Sequence, residues 1–390
     1  MIYSAILIAA LTLLLSFIIE RLSGALRFPA VAALIIAGIV GNPLLASLGI
    51  TLFGLDQVVP VIGTLGLVLI VLDGALDIKL TRPALRAASM AFASALAGFV
   101  ACLLFFASLA MALLDLDGFQ ACLLAVPFAV ISSAVAIPSS QGLDAKTREF
   151  VVYESSLSDI VGVLVFFALA SSDGSLVDIT RQLAGGGAIS LILSVCCALA
   201  LAYALMSIEG QVRHLPALAA LFALYAIGKI YHFSPLLMVL LFGLAMNNPG
   251  WMTRLPFRRE GISSEYPATL DSFKSLATEL TFAVRGFFFI LLGYWTDLAA
   301  LANPYAWLAA IVILTIIYTS RYSLLRVMKM ESRDMLLWVA PRGLITVLLF
   351  INARQLIHVP DYLNGAVLIV VIASALMVML SRPATAQQGT

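Results

Sequence analysis

Apolar runs long enough to cross a bilayer follow one another along almost the whole of this 390-residue chain. A spanning helix needs about 20 mostly apolar residues. Thirteen stretches qualify: 2–19, 29–48, 58–78, 88–114, 119–139, 149–170, 187–208, 215–230, 234–248, 271–296, 304–325, 335–355 and 362–381. Charged residues make up only 11% of the chain, where a soluble domain carries about 25%. The expected fold class is therefore an all-α polytopic membrane protein. A net charge of +1 gives no handle for nucleic acid. The four cysteines lie in apolar stretches at no metal-like spacing. The first span has no basic segment before it and reads as a membrane helix, not a cleaved signal.

Basic residues set the orientation. Arg21 and Arg27 follow the first span, Lys79, Arg82 and Arg86 the third, Lys146 and Arg148 the fifth, and Arg213 the seventh. Arg254, Arg258 and Arg259 follow the ninth, Arg321, Arg326, Lys329 and Arg333 the eleventh, and Arg382 the thirteenth. The alternate loops hold only Arg181, Lys229 and Arg354. This bias predicts an outer N-terminus and a cytoplasmic C-terminus in a multi-pass protein of the bacterial inner membrane. The eighth and ninth spans are short enough to form one bent hairpin, but the alternation of charge favours two separate spans.

Thirteen spans divide as six, one and six. The second set starts seven spans after the first, so it is inverted in the membrane. The expected organisation is a single transmembrane domain over 1–390, with one repeat at about 1–171, a linking span at 187–208 and a second repeat at about 214–382. The fifth and twelfth spans hold matching places, and each contains a proline, Pro138 and Pro341. Proline removes a backbone donor and interrupts a helix. Interrupted helices at corresponding positions of two halves point to a transport site.

The sixth span carries two acids, Glu154 and Asp159, among Ser155, Ser156 and Ser158. Asp159 lies eleven residues past Arg148, roughly 16 Å along a helix and thus near mid-membrane. Acids at that depth are costly and mark ion or proton paths. Ser155 and Asp159 are four apart and share a helix face, Ser158 adjoins them, and Gly162 permits close approach. Glu154 points about 140° away from Asp159 and needs a different, basic partner. The candidates are Arg285 of the tenth span, which also holds Glu279, and Arg342 beside Pro341. These four residues are expected to form buried structural ion pairs. Ser132 and Ser133 of the fifth span, with freed carbonyls, are candidate cation ligands. Asp73 of the third span is a further one, and Asp77 reads as a solvated boundary residue.

At these residues the chain resembles the monovalent cation–proton antiporter superfamily, on its sodium/proton exchanger (NhaP-like) side. The family motif Glu-Ser-Leu-Leu-Asn-Asp is similar to Glu154-Ser155-Ser156-Leu157-Ser158-Asp159. Phe-Glu-Gly-Gly is matched by Leu72-Asp73-Gly74-Ala75, and Leu-Arg-Gly-Ala by Pro341-Arg342-Gly343-Leu344. Arg285-Gly286-Phe287-Phe288-Phe289 with Gly293 looks like archaeal and bacterial members. One departure stands out. Where the family commonly has Thr-Asp-Pro, this chain has Ser132-Ser133-Ala134, closer to the potassium-efflux branch, and so one carboxylate fewer.

The resemblance implies a homodimer with a moving core and a scaffold, and two inverted repeats around crossed broken helices. It implies Asp159 as the alkali-cation and proton site, Ser155 as a ligand and Glu154 as a structural residue. The function so implied is secondary antiport of protons for sodium, with lithium as a second cation, in sodium transport and pH homeostasis. A proton and a cation competing for one aspartate would exchange electroneutrally. No nucleotide-binding loop, metal cluster or Ser/His/Asp grouping is present in the sequence. The expectation is therefore no enzyme and no cofactor beyond the transported Na⁺ or K⁺ and H⁺. Potassium/proton exchange on the same fold is the alternative within transport. A non-transporting membrane sensor or scaffold is the alternative outside it.

Overall fold

The computed structural model describes residues 2–26, 28–47, 55–78, 82–140, 143–172, 174–181, 192–193, 195–197, 200, 214–230, 235–249, 266–296, 298–330 and 332–381. Regular structure among them is helical throughout. The first helices are α1 (Ile2–Leu26), α2 (Ala30–Ser47), α3 (Leu55–Asp77), α4 (Arg82–Leu114), α5 (Gly118–Ala129), α6 (Ser133–Ser139), α7 (Ala145–Ala170) and α8 (Leu176–Arg181). They are followed by α9 (His214–Ile230), α10 (Pro235–Asn247), α11 (Tyr266–Trp295), α12 (Leu298–Ala302), α13 (Pro304–Val327), α14 (Arg333–Trp338), α15 (Leu344–Leu356) and α16 (Tyr362–Met377). Every expected span except the seventh coincides with a helix or a pair of helices. The linking span at 187–208 lies almost entirely outside the described residues, as do the side chains of the basic loops at 79–86 and 254–259. Among the described residues, seven helices are long and apolar enough to cross a membrane, and four shorter apolar helices accompany them.

The chain divides into two compact units, and it passes from one to the other within continuous helices. The first comprises Met1–Gly66, Met90–Gly162 and Ala283–Thr390. Its periphery and centre differ in burial. Only 28% of the apolar window of α4 is buried, against 83% of the segment Gly118–Ser139 that contains α5 and α6. The exposed faces of α1 (Leu7, Leu11, Leu14, Phe17, Ile18) and α13 (Leu308, Ile311) are apolar, as a lipid-facing surface must be. At the centre α5 packs against α15, and α16 runs along α13 and α2. Gly38 of α2 and Gly293 of α11 let their backbones meet, since a Cβ at Gly38 would lie 2.8 Å from the Tyr294 nitrogen.

Two segments of this unit leave the helical path. Between α5 and α6 the backbone is extended at Val130 (φ −82°, ψ 132°) and Ser132 (φ −79°, ψ 118°). Between α14 and α15, residues 339–343 are non-helical. The two breaks meet, with the Ser132 N–H donating to the Pro341 carbonyl at 2.9 Å. Pro341 sits in its break as expected, but Pro138 does not. It lies inside α6, several residues beyond the interruption. Tertiary partners cause the break instead. The successive N–H groups of Ile131, Ser132 and Ser133 go to Ser158 Oγ, Pro341 O and Asp159 Oδ2, at 2.9, 2.9 and 3.0 Å. Gly162 of α7 makes room for this, because a Cβ there would run into the Val130 side chain.

The second unit comprises Leu67–Ser89 and Val163–Phe282. In it α9 and α10 form a closely packed pair, and the C-terminal part of α3 packs beside α10. A Cβ at Gly243 would lie 2.6 Å from that of Ala75. Asn247 and Asn248 cap the end of α3 by donating to the Ile78 carbonyl at 2.9 and 3.0 Å.

Candidate functional site

Breaking a helix exposes donors at one new end and acceptors at the other. In the first unit each of the two broken spans has its acceptor end bonded by a buried arginine. Arg342 is 1% exposed. Its Nε donates to the carbonyl of Phe128, in the last turn of α5, at 2.8 Å, and its Nη1 to Ala340 O at 3.1 Å. Its backbone N–H donates to Ser374 Oγ at 2.9 Å. Arg321 of α13 is 4% exposed, and its Nε donates to the Leu336 carbonyl near the end of α14 at 3.1 Å. A cation at a helix C-terminus opposes the partial negative charge there.

The donor end of α6 faces an acid. Asp159 of α7 is 3% exposed. Its Oδ2 accepts from both the N–H and the hydroxyl of Ser133, the first residue of α6. Its Oδ1 is buried and has no hydrogen-bond partner among the described residues, and the same holds for Ser132 Oγ in the break. Gly343, at the start of α15, lies against Ser132, where a Cβ would come within 2.9 Å of the Ser132 Cβ. One carboxylate oxygen and one hydroxyl near this helix start are thus buried without a hydrogen-bond partner among the described residues.

The remaining predicted residues fall in several places. Ser155, four residues before Asp159, donates its proton to the Val151 carbonyl at 2.7 Å. Ser158 is engaged by the Ile131 N–H and acts as a strap on the break. Glu154 is 1% exposed and forms a two-pronged ion pair with Arg321 at 2.5 and 2.7 Å, with Ser94 Oγ donating to Oε1. The expected partners Arg342 and Arg285 are therefore replaced by Arg321. Arg342 forms no ion pair among the described residues, because carbonyls freed at the breaks satisfy it. Arg285, half-buried, pairs with Glu20 of α1 at 2.7 Å. Glu279 is exposed and makes no ion pair among the described residues, so the expectation that it is buried is corrected. Asp73 belongs to the second unit, where Thr278 Oγ1 donates to its Oδ1 at 2.7 Å.

Sequence reasoning passed over Arg321, Ser94 and Glu20. Arg321 belongs to the charge bias that sets orientation, yet it stands within the eleventh span directly after Tyr318, Thr319 and Ser320. That polar run inside an apolar helix was the available signal. Glu20, which ends the run Phe17-Ile18-Ile19, offered another.

The sequence matches the profile of the family described as "Sodium/hydrogen exchanger, transmembrane" over residues 7–385. This chain belongs to the sodium/hydrogen exchanger family. Among solved structures this exchanger is similar to the sodium proton antiporter MjNhaP1 from Methanocaldococcus jannaschii at pH 8. The TM-score is 0.69 at 20% identity, over 97% of this chain and 95% of that one. An electron-microscopy structure of the same antiporter matches with TM-score 0.66 at 17% identity, over 98% and 94% of the two chains. At such identities the likeness establishes the fold, an NhaP-like arrangement of many helices. Comparison with curated proteins finds no match.

Proposed function

We propose that this member of the family exchanges protons for a monovalent cation at Asp159. The carboxyl holds either a proton or the cation, never both, and presents them alternately to the two sides of the membrane. The observation that carries the reading is the state of that carboxylate. It is buried near the start of a broken half-helix, with one oxygen fixed by Ser133 and the other without a hydrogen-bond partner among the described residues, as is the hydroxyl of Ser132 in the same break. Asp159, Ser132, Ser133 and Ser155 would hold the cation as substrate. Hard oxygen donors of this kind suit alkali ions.

Glu154 is neutralised by Arg321, and the position that commonly carries a second acid in the family is Ser133 here. Among the described residues at the two breaks, Asp159 is thus the carboxyl that no ion pair neutralises. One proton for one cation, electroneutral, follows. Sodium is the cation of the family description, and lithium is a second substrate in this reading. The charge bias along the chain supports an outer N-terminus and a cytoplasmic C-terminus in an inner-membrane protein. Two inverted repeats at about 1–171 and 214–382 and a homodimer complete the reading.

The test is transport by purified protein in proteoliposomes. Wild type should give a sodium-driven pH change whose rate is unaffected by an imposed membrane potential. Asp159→Asn should abolish it while the protein stays folded. Exchange retained in that variant would sink the assignment. Comparing Na⁺, Li⁺ and K⁺ in the same vesicles separates sodium from potassium exchange.

A further inference from the structure

In a regular helix the N–H of residue 138 would bond the carbonyl of residue 134. Pro138 has no N–H, so the Ala134 carbonyl in the first turn of α6 lacks its intrahelical partner. Arg285 of α11 fills that place, with Nη1 donating to Ala134 O at 3.4 Å. The same guanidinium is held from its other side, where Nη2 donates to Glu20 Oε1 of α1 at 2.7 Å. Both side chains are largely covered, at 14% and 29% exposure, so solvent screens the pair only partly. The neighbouring contact is built for closeness. Ser16 shares the face of α1 with Glu20 and lies against Gly286, where a Cβ would fall 2.6 Å from Ser16 Oγ. A side chain at 286 would push α1 away and pull Glu20 off Arg285.

We propose that Glu20 and Arg285 are positioning residues for exchange. They form a relay that fixes the first turn of α6 and so sets how Ser133 presents its N–H and hydroxyl to Asp159. α6 has seven residues, too few to hold its own geometry. Ser133 and Ala134 are adjacent, so a shift at the Ala134 carbonyl is passed directly to the donors on Asp159. Neither Glu20 nor Arg285 bonds Asp159 itself. Their effect is on how well the carboxylate is organised for the cation, and through it on apparent affinity. The proposal rests on Asp159 being the exchanging carboxyl.

The experiment is the apparent KM for Na⁺ of proteoliposome exchange, in wild-type and Pro138→Ala backgrounds, with Asp159→Asn as control. Glu20→Ala should raise KM about fivefold with little loss of maximal rate. Glu20→Gln, which keeps an acceptor oxygen in place, should raise it less. Alanine at 138 restores the missing N–H and satisfies Ala134 O from within the helix. In that background Glu20→Ala should change KM by no more than about twofold. Should Glu20→Ala not fold, Arg285→Lys, which cannot fork between the two acceptors, should show the same pattern. An unchanged KM in these variants, or an equal rise in both backgrounds, overturns the relay even if Asp159→Asn is inactive. Exchange retained in Asp159→Asn would instead remove the reading on which the relay stands.

Discussion

At the scale of single residues, the buried charges divide by what answers them. Glu154 and Arg321 answer each other, with side chains 2% and 4% exposed, and Ser94 adds a hydrogen bond. Removing one member strands the other in a medium that cannot solvate it. Arg321→Leu should therefore destabilise the protein by about 3–5 kcal/mol. Replacing both members by apolar residues should recover most of that loss. Thermal unfolding of the detergent-solubilised variants checks both statements, and equal stability of the single and double variants would contradict them. The helical face that Asp159 shares with Ser155 was legible in the sequence, because residue spacing along a helix determines it. The partner of Glu154 was not, because a helical wheel gives a direction and not the neighbour in that direction. Arg321 was also masked by its place near the end of a span, where arginines commonly reach out to the interface. The exposure of Glu279 was missed for a related reason. In a helix that also carries Asp271, Lys274 and Arg285, sequence does not tell which polar side chains a neighbouring helix covers.

At the scale of elements, both broken spans were legible as apolar segments with an internal proline, yet the proline marked the break in only one. Pro341 lies in its interruption, whereas Pro138 lies inside α6 and frees a carbonyl that Arg285 takes. The first break is held by Ser158, Pro341 and Asp159, each accepting one N–H of residues 131–133. Such tertiary competition leaves no local trace in sequence. Gly162 did leave one. Its place against Val130 means that Gly162→Ala should strain the crossing of α7 with the break and cost about 1–3 kcal/mol. Val130→Ala in the same protein should relieve most of it. A melting temperature unchanged in Gly162→Ala, or no relief in the double variant, would show that the crossing is looser than described.

At the scale of the whole molecule, the helical character of the apolar stretches followed from the backbone's need for internal hydrogen bonds in lipid, and among the described residues seven helices are long and apolar enough to cross a membrane, with four shorter apolar ones. What sequence could not supply is the grouping of those spans, since residues far apart in the chain build the first unit. That unit brings together a carboxylate, a half-helix start and two helix ends bonded by arginines, and the proposed exchange places proton and cation at that carboxylate. Competition at one carboxyl has a definite pH signature. Below the pKa of the site, each fall of one pH unit removes about nine-tenths of the deprotonated carboxylate, so the apparent KM for Na⁺ rises about tenfold. Above that pKa, KM is flat, and saturating Na⁺ restores the binding lost at the acidic end. The decisive measurement is therefore the KM for Na⁺ of the wild-type protein in proteoliposomes across the pH range. The account predicts a plateau at high pH and a tenfold-per-unit rise below it. A KM that does not depend on pH would contradict exchange by competition at Asp159.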